Sequence, residues 1–304
     1  MKNYLSVIIF FLILSCEKQE TTSDNVIEHD WTTKQFTFEH DGLTRTYILH
    51  KPKSFVQNSP LLFVLHGFTS SANTIMTYSQ MNLIADNNGF MVCYPQGTTL
   101  NTGQTHWNAN LEMSSINDIE FLSELAKKIQ FNYKINPENT FTSGMSNGGF
   151  MSYTLGCEKS DIFKAIASVT GTMSGKDWNN CNPSYKIPVM QISGTEDTTV
   201  PWDGTMSTSY GWGGAPHILE VMDFWSDLNL CNQNEIIDFP DIDNSDNSTV
   251  SLTKRKGESY NNEVWLYTVT GGGHDWPGAF GNKDIKASRI NNNIKIIIIP
   301  IFSL

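Results

Sequence analysis

Phe141-Thr142-Ser143-Gly144-Met145-Ser146-Asn147-Gly148-Gly149-Phe150 contains Gly144-x-Ser146-x-Gly148, the G-x-S-x-G pattern of a nucleophile elbow. Asn139-Thr140-Phe141-Thr142 before it reads as a short strand, and residues 150–155 after it read as the start of a helix. A serine on so sharp a turn has a strained backbone, and side chains on its flanks would collide. Gly144, Gly148 and Gly149 leave that room. The turn lifts the Ser146 hydroxyl off the sheet edge and aims a helix N-terminus at it. A Gly/Ser loop without chemistry is the competing reading, and the strand–turn–helix context separates the two.

Working outward, residues 60–65 form a continuous apolar run, as expected of a strand buried on both faces. It ends at His66-Gly67-Phe68, where a glycine lets backbone N–H groups face a cleft. Residues 72–79 and 81–87 read as helices, and 90–94 as the next buried strand, stopped by Pro95. Near the N-terminal side, 36–40 and 44–49 alternate in polarity around Asp41-Gly42, a hairpin signal. Residues 95–117 are long and polar, as functional loops often are. Asp118 is expected to cap a helix reaching about Asn132, with Ile119, Leu122, Leu125 and Ile129 as its buried stripe.

Downstream, 163–169 and 187–192 read as strands, 204–216 as a surface loop over a cleft, and 217–228 as a helix. Asp241-x-Asp243 opens an acidic loop with a faint likeness to a calcium loop. It lacks the central glycine and has Leu252 where the closing Glu should stand, so it reads as solvated surface. Residues 250–254 and 264–269 are the last strands, followed by Gly271-Gly272-Gly273-His274-Asp275-Trp276-Pro277. Strands alternating with helices predict one mostly parallel central sheet with helices on both faces.

A serine hydroxyl needs a base, and the base needs an orienting carboxylate. Ser146, Asp197 and His274 come in the order Ser, Asp, His, each just past a strand end, where open α/β sheets place their sites. Glu196 is the rival carboxylate. His66, His106 and His217 are rival bases, but His66 precedes the serine, and the other two lie away from strand ends. The oxyanion of a tetrahedral intermediate needs donors. The Asn147 N–H is expected to be one and the Phe68 N–H the other. Trp107, Trp202 and Trp276 are expected to line the cleft, where an indole can stack on an acyl or aromatic group. Packing of the loops that hold Asp197 and His274 is the other reading of Trp202 and Trp276.

Leu65-His66-Gly67, Tyr94-Pro95-Gln96-Gly97, Gly144-Met145-Ser146-Asn147-Gly148-Gly149, Gly194-Thr195-Glu196-Asp197 with Val200-Pro201, and Gly272-Gly273-His274-Asp275-Trp276-Pro277-Gly278 occur in one order. Together they resemble the polyhydroxybutyrate depolymerase and feruloyl-esterase-like branch of the α/β hydrolases, over residues 34–285. The resemblance implies an α/β-hydrolase fold and hydrolysis of carboxylic esters without a cofactor. It casts Ser146 as nucleophile, His274 as base and Asp197 as its orienter. The implied substrates are hydroxyalkanoate or hydroxycinnamoyl esters. Acetyl or feruloyl groups on plant polysaccharide are the alternative. A serine peptidase of related fold and a non-catalytic polymer-binding lipoprotein are further readings.

The net charge of −11, without a Lys/Arg cluster, argues against nucleic acid and against acidic lipid surfaces. Lys2 precedes an apolar run at residues 5–14 that is too short to span a bilayer. Leu12-Ile13-Leu14-Ser15-Cys16 resembles a bacterial lipobox. Residues 1–16 are therefore expected to be a lipoprotein signal peptide with Cys16 lipidated, and 17–33 a flexible tether. The expected location is an exported, membrane-anchored lipoprotein, with plain secretion as the alternative. Of the remaining cysteines, Cys93 reads as a buried thiol, and Cys157 with Cys181 is the preferred disulfide. No His/Cys cluster suggests a metal site. The oligomeric state is left open. Residues 286–304, with the run Ile296-Ile297-Ile298-Ile299 before Pro300, are expected to be a frameshifted tail in place of the family's acidic closing helix.

Overall fold

Two strands of alternating polarity open the described chain. β1 (Thr33–His40) pairs antiparallel with β2 (Leu43–His50), and the turn between them sits at Asp41-Gly42. Both turn residues have positive φ, 48° and 74°, the backbone that a two-residue hairpin matching strand twist requires. The structure is a computed structural model that describes residues 32–241, 247–257 and 262–279. Residues 1–31, with Cys16, and the tail 286–304 lie outside them, as does most of the acidic loop after Asp241.

β3 (Leu61–Leu65) leads through α1 (Ala72–Ser79) and α2 (Met81–Asn88) to β4 (Met91–Pro95). A two-stranded ribbon, β5 (Thr98–Thr99) with β6 (Thr105–His106), interrupts the long polar segment before α3 (Asp118–Tyr133). Then come β7 (Thr140–Met145), α4 (Asn147–Glu158), β8 (Ile166–Val169), α5 (Gly175–Asn180), β9 (Val189–Gly194) and α6 (Ile218–Leu228). β10 (Gln233–Asp238), β11 (Thr249–Lys256) and β12 (Val264–Thr270) end the described strands.

The main sheet runs β1-β2-β4-β3-β7-β8-β9-β12-β11-β10. The six strands from β4 to β12 in that order are mutually parallel, and two antiparallel strands extend the sheet at each edge. Side-chain parity divides β3 between two cores. Leu62 and Val64 join Ile75, Met81 and Ile84 of α1 and α2 on one face. Leu61, Phe63 and Leu65 join Phe121, Leu125 and Ile129 of α3 and Phe150 of α4 on the other. α6 covers the same face further along, burying Trp225 and Val221 against Val189 and Leu266. This is the α/β-hydrolase arrangement: a mostly parallel sheet covered on both sides.

Two local expectations need correction. The α3 cap is Asn117, whose side chain accepts from the Glu120 N–H. Asp118 instead is fully buried, bonded to Arg45 at 2.7 Å and to the Asn108 N–H at 2.8 Å. Phe121 takes a buried place in the stripe, where Ile119 is only half-buried. β10, an edge strand exposed over most of its length, carries no apolar alternation, and no sequence reading assigns it. A disulfide joins Cys157 near the end of α4 to Cys181 just past α5, with Cα atoms 5.0 Å apart. Cys93 is buried and Cys231 half-buried, both as free thiols.

Candidate active site

The elbow forms where β7 meets α4. Ser146 holds φ 52° and ψ −119° at the N-cap of α4, in the left-handed half of backbone space that a serine enters at a cost. Close backbone approach explains two of the glycines. A Cβ on Gly144 would lie 2.2 Å from the Gly148 carbonyl oxygen, and one on Gly148 would lie 2.3 Å from that of Leu65. The Ser146 N–H donates to the Val169 carbonyl at 2.9 Å, fixing the turn to β8. Among the described residues the Ser146 hydroxyl makes no hydrogen bond.

Asp197 and His274 are brought together by two loops at the ends of β9 and β12. A Cβ on Gly194 would lie 2.3 Å from the Gly272 carbonyl oxygen, so only glycine permits that approach. Glu196 N–H donates to that same carbonyl at 2.9 Å, and Gly271 N–H donates to the Thr195 hydroxyl at 3.0 Å. The result is a His274 Nδ1 to Asp197 Oδ2 contact of 2.7 Å. The other carboxylate oxygen of Asp197 accepts from the Thr199 and Val200 N–H groups, each at 2.8 Å. Three bonds thus fix the plane of a buried carboxylate, while the His274 side chain keeps 21% exposure. Glu196 is exposed.

The rival histidines are engaged elsewhere. His106 bonds the Thr98 carbonyl at 3.1 Å and the Ser114 hydroxyl at 2.7 Å. His217 caps α6 through Nδ1, which accepts from the Leu219 N–H at 3.1 Å. His66 is fully buried behind the loop that follows β3. Its Nε2 accepts from the Gly97 N–H at 3.0 Å and the Gln96 side-chain amide at 3.1 Å. The proton must therefore sit on Nδ1, which donates to the Gly67 carbonyl at 2.8 Å. Burial, opposed in part by that hydrogen bond, pushes the His66 pKa down to about 4.

That bond matters because the Gly67 carbonyl and the Phe68 N–H share one peptide plane and point in opposite directions across it. Holding the carbonyl therefore aims the N–H. Gly67 packs on the elbow, its Cβ position 3.6 Å from Ser146 Cβ. Neither the Phe68 nor the Asn147 N–H has an acceptor among the described residues. No sequence signal marks His66 for this role beyond its place directly before the glycine.

The tryptophans divide differently from the expectation. Trp107 is fully buried, so it presents no face to a ligand. Its indole donates to the His66 carbonyl at 3.0 Å, from behind the loop. Trp276 is 2% exposed and belongs to the core. Trp202 is half-buried, edge-on to His217 with centroids 5.6 Å apart. Trp212, not singled out from sequence, packs edge-on against Phe68 at 5.9 Å and Phe150 at 5.1 Å. Among the described residues no group of three or more His, Cys, Asp or Glu could hold a metal, and no helix is long and apolar enough to cross a membrane.

A strained serine at a strand–helix turn, two unclaimed N–H groups beside it and a His–Asp pair at neighbouring strand ends are the parts of acyl-transfer chemistry. The chain is similar to known proteins. Feruloyl esterase B of Piromyces equi is 26% identical over 236 residues, covering 76% of this chain and 42% of that one. Poly(3-hydroxyalkanoate) depolymerase C of Paucimonas lemoignei is 24% identical over 245 residues, covering 75% of this chain and 58% of that one. The chain thus spans about half the length of these curated relatives. The solved structure of an acetyl xylan esterase from Aspergillus awamori matches with a TM-score of 0.59 at 13% identity, covering 85% of this chain and 99% of that one. At that identity the likeness is one of fold. The profile described as Esterase PHB depolymerase matches residues 45–218, more than half of the chain, and the chain belongs to that family.

Proposed function

We propose that the protein is a serine esterase that hydrolyses carboxylic esters through a covalent acyl-enzyme. The acyl groups are of hydroxyalkanoate or hydroxycinnamoyl type. The observation that carries this reading is the 2.7 Å His274–Asp197 contact past the ends of β9 and β12, in the same parallel sheet as β7, whose end carries a strained serine. Asp197 orients Nδ1 of His274, which frees Nε2 to take the Ser146 proton as Oγ attacks the ester carbonyl. Phe68 and Asn147 N–H groups receive the oxyanion. His274 then returns the proton to the leaving alcohol, and a water repeats the sequence on the acyl-enzyme. The free Ser146 hydroxyl is compatible with this role, because such bonds often tighten only once substrate is bound. The residues supply base, nucleophile and oxyanion donors, so no step calls on a cofactor.

Export and lipidation at Cys16 complete the proposal. They rest on the lipobox-like Leu12-Ile13-Leu14-Ser15-Cys16. Acetylated or feruloylated polysaccharide is the second source of substrate, supported by the feruloyl esterase among the relatives. The test is hydrolysis of p-nitrophenyl butyrate, then of a hydroxybutyrate trimer and methyl ferulate. Absence of Ser146-dependent turnover on all three would overturn the esterase reading.

A further inference from the structure

Gly271-Gly272-Gly273 leads directly into His274. Glycine gives up more conformational freedom on folding than any other residue, so this lead-in holds its own shape weakly. It is held from the β9 side, where the Gly271 N–H donates to the Thr195 hydroxyl and the Gly272 carbonyl accepts from the Glu196 N–H. Those bonds stop short of His274 itself. The residue directly after it, Asp275, is anchored from another part of the fold. The Tyr78 hydroxyl, near the end of α1, donates to Asp275 Oδ1 at 2.6 Å.

Asp275 is 7% exposed. A carboxylate so buried demands hydrogen bonds, and 2.6 Å lies in the range of a charge-assisted O–H···O⁻ bond. The next residue, Trp276, joins the apolar cluster against which Met76 and Tyr78 of α1 pack. The far side of the His274 turn therefore docks on α1 through one strong polar bond and one apolar contact. α1 also begins just after the loop that carries Phe68. The Ser70 N–H donates to the Gly67 carbonyl at 3.1 Å, and the Ala72 N–H donates to the Gln96 side-chain oxygen at 2.9 Å. The helix start and the expected oxyanion loop thus share one set of anchors. Eight residues make a rod about 12 Å long. Its start sits by the oxyanion loop, and its last turn grips the residue after the base.

We propose that Tyr78 and Asp275 are positioning residues for ester hydrolysis. Their hydrogen bond fixes the backbone that carries His274, and α1 holds the base and the oxyanion loop at a set separation. Both act through His274, so the proposal rests on the reading of that residue as the base. Misplacing a reacting group by about 1 Å can cost about 10²-fold in rate. A loosened His274 turn should therefore appear in kcat, with substrate affinity kept.

The experiment measures kcat and KM on p-nitrophenyl butyrate, with urea melts to show that each variant is folded in the assay. Tyr78→Phe keeps the packed ring and loses only the hydroxyl. It should lower kcat about tenfold and leave KM within about twofold. Asp275→Ala should do the same, and the double variant should be no slower than the slower single, because both changes remove one bond. Asp275→Asn keeps an oxygen that can accept from the phenol, so it should retain at least about a third of kcat. Wild-type kcat in Tyr78→Phe, a loss that falls on KM, losses that multiply in the double variant, or an Asn variant as slow as the Ala variant would each overturn the positioning role. Should Asp275→Ala fail to fold, Tyr78→Phe and Asp275→Asn decide. His274→Ala separates this from the parent reading. Wild-type kcat in that variant overturns the base assignment, whereas a dead His274→Ala beside a fully active Tyr78→Phe overturns only the positioning role.

Discussion

The side chain of Asn147 grips both backbone polar groups of Trp107. Its oxygen accepts from the Trp107 N–H at 2.7 Å, and its amide donates to the Trp107 carbonyl at 3.0 Å. The residue after the expected nucleophile thus anchors the polar segment between β4 and α3. Asn147→Ala leaves two buried backbone groups unpaired. It should destabilise the fold by about 2–4 kcal/mol, at roughly 1–3 per group with partial relaxation. Urea melts of the two proteins measure this, and a change within about 0.5 kcal/mol, the usual range of a surface substitution, would refute it.

Ser146→Ala should lower ester hydrolysis by several orders of magnitude, on the scale of the ~10⁶ lost when a triad serine is removed. The melting temperature should stay close to wild type, because the hydroxyl makes no described hydrogen bond. A folded variant keeping a tenth of the rate would remove Ser146 as nucleophile.

Asp197→Asn should cost about 10⁴ in kcat, because the amide imposes the wrong His274 tautomer. Glu196→Gln, on an exposed side chain, should change kcat by less than about threefold. Parallel p-nitrophenyl butyrate assays decide between them, and a reversed ranking would transfer the orienting role to Glu196.

His66 makes acid unfolding predictable in sign. Its folded-state pKa of about 4 lies below the ordinary 6.5, chiefly through burial. Between those values the unfolded chain binds more protons, so stability is full above about 6.5 and falls as pH drops toward 4. This one group should remove about 2 kcal/mol between pH 6.5 and pH 5. Urea melts at several pH values should show the slope in wild type. In His66→Asn the part of the slope due to this residue should vanish, and an unchanged slope would show that other groups carry it.

Cys16→Ser should abolish incorporation of labelled fatty acid and membrane association. The motivation is the Leu12-Ile13-Leu14-Ser15-Cys16 sequence. Label that persists in the variant, or is missing from the wild type, would leave only an ordinary secretion signal.

Much of the fold was legible because burial on two faces writes a plain signal. The apolar run at β3 and the Asp41-Gly42 turn needed no long-range knowledge. The elbow was legible because its glycine spacing and its flanking strand and helix lie within one short stretch, although the carbonyl that excludes a side chain at Gly148 belongs to the distant Leu65. What escaped depends on partners distant along the chain or on the absence of a pattern. Asp118 looks like a helix cap until Arg45, 73 residues away, is placed against it. Trp107 looks like a ligand platform until its indole is found donating to His66. β10 is too exposed to show alternation, and His66 acts through a peptide plane rather than through its own position in any motif.

The order of the strands also constrains the life history of the chain during synthesis. Asp197 follows β9, which sits beside β8 in the sheet, but His274 rides on the turn after β12, the last of the parallel strands to be made. A ribosome that has released everything through Asp197 has made the proposed nucleophile and orienting carboxylate but not the proposed base. On the proposed mechanism, hydrolytic competence arrives late and all at once, when β12 pairs with β9. On that mechanism, a chain cleaved or stalled before that point carries the serine without the histidine that would activate it.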